Sequence, residues 1–77
     1  MKRIEKINST LEEVGIRVEI DKVHPYGTFS TIRYQCYLMY FNAKKNRWSV
    51  FHNVGVFRDE KAAIDAAEKK LRMDKYL

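Results

Sequence analysis

Residues 32–41 form a ten-residue run rich in aromatic side chains and opening on the β-branched Ile32, the kind that fit a pleated, half-buried surface. The polar stretch Asn42-Ala43-Lys44-Lys45-Asn46 follows, and apolar–polar alternation resumes from Arg47 to Phe51. Two strands joined by a short polar loop make a hairpin. A hairpin is marginal alone in water, so this stretch commits the chain to a larger antiparallel sheet covered by other elements.

A period of two sorts the first strand into faces. Ile32, Tyr34, Cys36, Leu38 and Tyr40 suit a core, whereas Arg33, Gln35, Tyr37, Met39 and Phe41 mix base, amide and aromatic. With residues 42–46 as the loop, Trp48 and Val50 are expected inward, and Arg47, Ser49 and Phe51 outward. The second strand is expected to continue to Phe57, through a bulge near Asn53 or Gly55. The open face then shows Arg33, Gln35, Tyr37, Met39, Arg47, Ser49 and Phe51, joined by Arg17 and Glu19 from an earlier strand.

Ile4, Ile7, Leu11 and Val14 make one apolar stripe, which predicts a helix over residues 1–14 closed by a left-handed Gly15. Its bases precede its acids, against the macrodipole, so it must rely on packing. Ser9 with Glu12, or Thr10 with Glu13, also reads as a capping box, but a start there leaves under two turns. Ile16, Val18 and Ile20 alternate with polar residues and predict a strand over residues 16–22. His24-Pro25-Tyr26-Gly27 breaks it, and Thr28 to Thr31 leads into the next strand. Asp59 reads as the N-cap of a helix over residues 59–73, with Ala63, Ile64, Ala67 and Leu71 buried. Lys61–Asp65, Asp65–Lys69 and Glu68–Arg72 are spaced to pair on its outer face. The reading is one small α+β domain over residues 1–77, ordered α-β-β-β-α, with a three-stranded antiparallel meander packed against two helices.

A chain of 77 residues buries only about 60–65 % of its unfolded surface, so its core is thin. One cysteine cannot form an internal disulfide framework. No apolar run approaches the roughly 20 residues of a membrane span, and no signal-peptide h-region stands at the N-terminus, so a cytoplasmic protein is expected. His24, His52 and Cys36 are not spaced as a metal site. Cys36 alternates with core residues and reads as a buried, inert thiol; both histidines read as surface residues. No Gly-rich phosphate loop or carboxylate pair is present. No enzymatic activity, cofactor, metal or small-molecule substrate is expected.

Charge points to a partner. Residues 1–30 and residues 59–77 each carry five basic and five acidic side chains, so the whole net charge of +5 lies in residues 31–58. That segment holds Arg33, Lys44, Lys45, Arg47 and Arg58 and no acid. A basic hairpin with interleaved aromatics fits nucleic acid, with DNA favoured over RNA. The expected contacts are Arg33, Gln35, Tyr37, Lys44, Lys45, Arg47 and Ser49. Trp48 is read as core rather than as a stacking platform. The alternative is a small non-enzymatic protein-interaction module, for example a phage or accessory protein, docking on a larger protein through Tyr37, Met39 and Phe51.

Two families share features with these residues. Arg47 through Leu71, with Gly55-Val56-Phe57-Arg58-Asp59-Glu60-Lys61-Ala62-Ala63 leading into an Ala-rich helix, resembles the arm-type DNA-binding domains of tyrosine recombinases. It also resembles the plant ethylene-response-factor type. Those domains lay a three-stranded sheet in the major groove with a helix behind it. The likeness covers about half the chain and implies that Arg33, Gln35, Tyr37, Arg47 and Ser49 read DNA; the N-terminal helix departs from the pattern. The order α-β-β-β-α is similar to the double-stranded-RNA-binding domain. That family grips phosphate with lysines at the start of its last helix, where this chain has Asp59, Glu60 and Lys61, and the two acids would repel phosphate.

Overall fold

The computed structural model describes residues 2–24 and 32–77. Helix α1 spans Lys2–Leu11, strand β1 Ile16–Val23, strand β2 Arg33–Asn42, strand β3 Arg47–Phe57 and helix α2 Glu60–Met73. The strands form one antiparallel sheet in the order β1-β2-β3. The α-β-β-β-α order is therefore as the sequence suggests. The expected break at Pro25 to Gly27 and the lead-in over Thr28 to Thr31 lie outside the described residues.

The first helix is shorter than its apolar stripe suggests. After Leu11 the chain tightens into a 3-10 turn over Glu12–Val14. Gly15 closes it at φ 68°, donating its N–H to the Glu12 carbonyl at 3.1 Å. Three residues per turn instead of 3.6 rotate Val14 off the stripe, and it is 56 % exposed. Ile7 and Leu11 remain buried.

The core joins Ile7 and Leu11 to Ile16 and Val18 of β1, Cys36 and Leu38 of β2, and Ala63, Ile64, Ala67 and Leu71 of α2. Alanines at 63 and 67 let α2 lie close on the sheet. The Asp59 side chain caps this helix by accepting from the Ala62 N–H at 2.7 Å. On its outer face Lys61–Asp65 and Glu68–Arg72 pair as expected. Asp65 turns to Arg3 of α1 rather than to Lys69, and Arg3 also reaches Glu68, at 2.7 and 3.2 Å. One guanidinium thus ties the two helices together.

Strand β1 is an edge strand, and α1 closes part of that edge with a side chain. Asn8 donates from Nδ2 to the Val18 carbonyl at 3.1 Å and accepts from the Val18 N–H at 2.7 Å. An amide side chain here does what a neighbouring strand would do.

The expected facing of β3 is overturned. Asn42 pairs with Arg47, so the loop has four residues, 43–46, and not five. The one-residue difference moves Arg47 and Ser49 to the helix side and Trp48 and Val50 to the open side. Trp48 lies opposite Phe41, and Val50, opposite Met39, is 52 % exposed. Two bulges interrupt the β2–β3 ladder, between Cys36 and Tyr37 and between Leu38 and Met39. They leave Val54 and Phe51 as extra residues. The first falls where Asn53 or Gly55 had suggested one; there Gly55 takes φ 141°, a region that strongly favours glycine.

Two predictions follow from this packing. Leu38→Ala should cost about 2–5 kcal/mol in urea unfolding, while Trp48→Ala, on the open face, should cost clearly less; the reverse order would refute the register. Asn8→Ala should cost about 1–3 kcal/mol, because it strips both partners from the Val18 peptide groups; an unchanged urea midpoint would show that the edge is satisfied without Asn8.

Candidate nucleic-acid interface

The strands are longer than the helix that covers them. The 11 residues of β3 reach roughly 36 Å if fully extended, while the 14 residues of α2 reach about 21 Å. Bulges and twist shorten the strand, and burial falls off toward its hairpin end. Leu38 is the last fully buried residue of β2, and Tyr40 and Phe41 are 39 % and 42 % exposed. Phe51 on β3 is 41 % exposed.

Both faces of this end carry an aromatic pair. On the helix side Tyr40 meets Phe51 edge to face, with centroids 6.1 Å apart. On the open side Phe41 meets Trp48 edge to face at 5.6 Å. The Arg17 guanidinium lies 5.3 Å from the Trp48 ring centre and pairs with Glu19 at 3.1 Å. These contacts are cross-strand stabilisers of a segment with little other cover.

The tip beyond them is built by asparagines. The Asn42 carboxamide oxygen accepts from the Lys45 N–H at 3.3 Å, and the Ala43 carbonyl accepts from the Asn46 N–H at 3.3 Å. Asn46 adopts φ 51°, a left-handed conformation that asparagine tolerates better than most residues. Lys44, Lys45 and Arg47 are exposed around this loop, and none makes an ion pair among the described residues.

The structure divides the residues expected to form one interface. Lys44, Lys45 and Arg47 cluster at the tip, and Ser49 sits nearby on the helix side, opposite Tyr40. Arg33 is at the far end of β2, roughly 30 Å away at about 3.3 Å per residue. There it pairs with Val23 and donates to its neighbour's carbonyl, that of Ile32, at 2.9 Å. Gln35 and Tyr37 lie between, on the open face. Tyr37 and Phe51 are not cross-strand neighbours: Tyr37 faces Asn53, and Phe51 belongs with Tyr40 on the other side. The expected Tyr37–Met39–Phe51 patch is therefore replaced by Phe41, Trp48, Met39 and Val50.

Nor is the open face free of acid. Pairing with β1 sets Glu19 opposite Tyr37 and Asp21 opposite Gln35. The Tyr37 hydroxyl donates to the Asp21 carboxylate. That bond first, then burial and the nearby negative charge, pushes the Tyr37 hydroxyl up to about 12.

Cys36 is fully buried, and burial pushes its thiol up to about 11. His52, expected at the surface, lies half-buried at mid-strand, opposite Leu38. Among the described residues no group of three or more His, Cys, Asp and Glu side chains is placed to hold a metal ion. No helix among them is long and apolar enough to cross a membrane.

The aromatic pairs were missed at the sequence level because their pairing depends on loop length. The signal that carries it is Asn42 with Asn46: an Asx-type acceptor at the strand end and a residue tolerant of positive φ four positions on. Compared with family models, curated proteins and solved structures, the chain matches none.

The state of Cys36 is testable through pH. An unfolded thiol ionises near about 8.5, whereas the folded one holds its proton to about 11. Between those values the unfolded chain releases a proton that the folded chain keeps, so stability falls as pH rises. Cys36→Ala should lower stability at pH 7 but flatten that decline, as read by urea unfolding from pH 7 to 10. A parallel decline in both proteins, or rapid thiol labelling of the folded chain, would contradict burial.

Proposed function

We propose that this protein binds nucleic acid, DNA in particular, through the distal end of the β2–β3 hairpin. The observation that carries the reading is the cluster of Lys44, Lys45 and Arg47, three exposed cations without ion-pair partners among the described residues. They stand around the loop of the hairpin; Glu12 and Glu13, in the turn whose Gly15 carbonyl accepts from the Phe41 N–H, lie on its β1 side, so phosphate approaches from the loop and the β3 side. A two-stranded β-ribbon is narrow enough to enter a major groove, and exposed lysine and arginine side chains supply the phosphate contacts that dominate affinity. Arg33, Gln35 and Tyr37 have a different place in this reading. Asp21 and Glu19 make their part of the sheet unattractive to phosphate, so the contact shifts from the whole open face to its distal end.

A second reading rests on the same acids. Met39, Val50 and Val56 on the open face, with Glu19 and Asp21 beside them, suit a protein surface better than a phosphate backbone.

Salt separates the two. Three phosphate contacts imply a log–log salt slope of about −2.7 on B-DNA, and Lys44→Ala with Lys45→Ala should flatten it by about 1.8. Sequence preference should not change, because phosphate contacts position rather than specify. The measurement is a fluorescence-anisotropy titration of labelled DNA at several salt concentrations. Absence of binding to single-stranded and duplex DNA alike, even near 50 mM salt, would refute the reading and leave the open face as a protein-docking surface.

A further inference from the structure

We infer that the hairpin end takes DNA with unpaired bases, stacking them on its two aromatic pairs, in preference to intact duplex. The inference rests on the nucleic-acid reading above and adds the form of the ligand.

Stacking on a protein needs rings that solvent can reach, close to cations that can hold the adjoining phosphates. The hairpin end provides both. Tyr40, Phe41 and Phe51 are each about two-fifths exposed, and Trp48 is half-buried beside Phe41. The pairs lie on opposite faces of one ribbon, Tyr40 with Phe51 and Phe41 with Trp48. In a solvated surface hairpin one such pair is ordinary cross-strand support. Here there are two pairs, one on each face of the hairpin end, and the Arg17 guanidinium over the Trp48 ring leaves Tyr40, Phe41 and Phe51 as the more accessible rings. Lys44, Lys45 and Arg47 stand within a few residues of all four rings.

The edge-to-face arrangement matters to the fit. In each pair the planes are steeply inclined, at 62° and 74°, so the edge of one ring meets one face of its partner and the remaining faces are not covered by that contact. An unpaired base can lie flat on an exposed ring. A base inside intact duplex is already stacked on both sides and offers only its edge. The tip cations serve either form of DNA, since phosphates are present in both, but the rings discriminate between them. Every base has a π-face, so this contact selects for unpaired bases and not for sequence.

Trp48 is the chain's single tryptophan, and it sits in the site, so its emission reports the contact directly. The experiment titrates the full chain with a thymidine oligomer of about 12 nucleotides, a blunt duplex of equal length, and the same duplex carrying a single-stranded overhang. Salt is held fixed, and both anisotropy and Trp48 emission are read. The single strand and the overhang should bind about tenfold or more tightly than the blunt duplex, and should quench Trp48.

Phe41→Leu and Phe51→Leu keep apolar bulk and remove the ring. Each should lose most of the single-strand advantage while leaving blunt-duplex affinity within about twofold, and Phe41→Tyr should retain it. Thermal unfolding of each variant establishes that the domain is intact. Equal affinity for single strand and blunt duplex, with Trp48 emission unchanged, would overturn this inference and leave the phosphate-contact reading standing. No binding to either form would remove both.

Discussion

Two hydrogen bonds inside the four-residue loop, one to the Asn42 carboxamide and one to the Ala43 carbonyl, hold Asn42 opposite Arg47. Because side chains alternate strictly along a strand, that single pairing decides which face each residue near the tip occupies. It sends Trp48 to the open side, where Phe41 and Arg17 receive it, and Ser49 to the helix side, opposite Tyr40. Farther along, the bulges at Phe51 and Val54 each add a residue to β3 without a counterpart in β2. The facing of β3 therefore shifts twice, and the strand regains its core contacts with Val54 and Phe57.

A thin core makes that economy necessary. Only Cys36 and Leu38 are buried on the middle strand, and no residue of β3 is fully enclosed. The domain relies on a few well-placed polar contacts at its margins to complete what burial begins. Asn8 satisfies both peptide groups of Val18 at the outer edge of β1. The Phe41 N–H donates to the Gly15 carbonyl at 2.9 Å, fastening the turn before β1 to the hairpin end of β2. Arg3 joins α1 to α2 and holds the Asp65 carboxyl below its ordinary range, with Lys61 contributing. Those helix contacts are solvent-exposed and screened, so they steer the helices' mutual placement more than they add stability.

How much of this the sequence disclosed depends on whether its periodicity was interrupted. Helix α2 was legible because its alanine stripe, Asp59 cap and charge pairs all agree, and β1 because Ile16, Val18 and Ile20 alternate without a break. Strand β3 was not, since neither bulge has a hydrophobic signature and a five-residue loop fits the same letters as a four-residue one. The aromatic pairs followed β3 into error: Trp48, the residue with the largest side chain, was assigned to the core because its parity matched Val50. Both residues have that shared parity in the structure too, but on the open face. The acid-free stretch misled differently. Parity alone puts Glu19 on the open face, but the pairing that sets Glu19 opposite Tyr37 and Asp21 opposite Gln35 is written in neither segment.

Those acids and the tip cations act almost independently because of distance. Glu19 lies opposite Tyr37, five positions from Asn42 along β2, or roughly 16 Å at about 3.3 Å per residue. Asp21, opposite Gln35, is farther still. The Debye length is about 10 Å at 0.1 M salt, so neither carboxylate does much to reduce the potential around Lys44, Lys45 and Arg47. Glu19 is further occupied by Arg17, and Asp21 by the Tyr37 hydroxyl. The middle of the sheet is thus self-compensated, whereas the hairpin end has tip cations on its loop and, on its β1 side, Glu12 and Glu13 in the turn bonded to Phe41. On the proposed reading an anion therefore meets the loop and the β3 side of the hairpin first, where Lys44, Lys45 and Arg47 stand without ion pairs among the described residues.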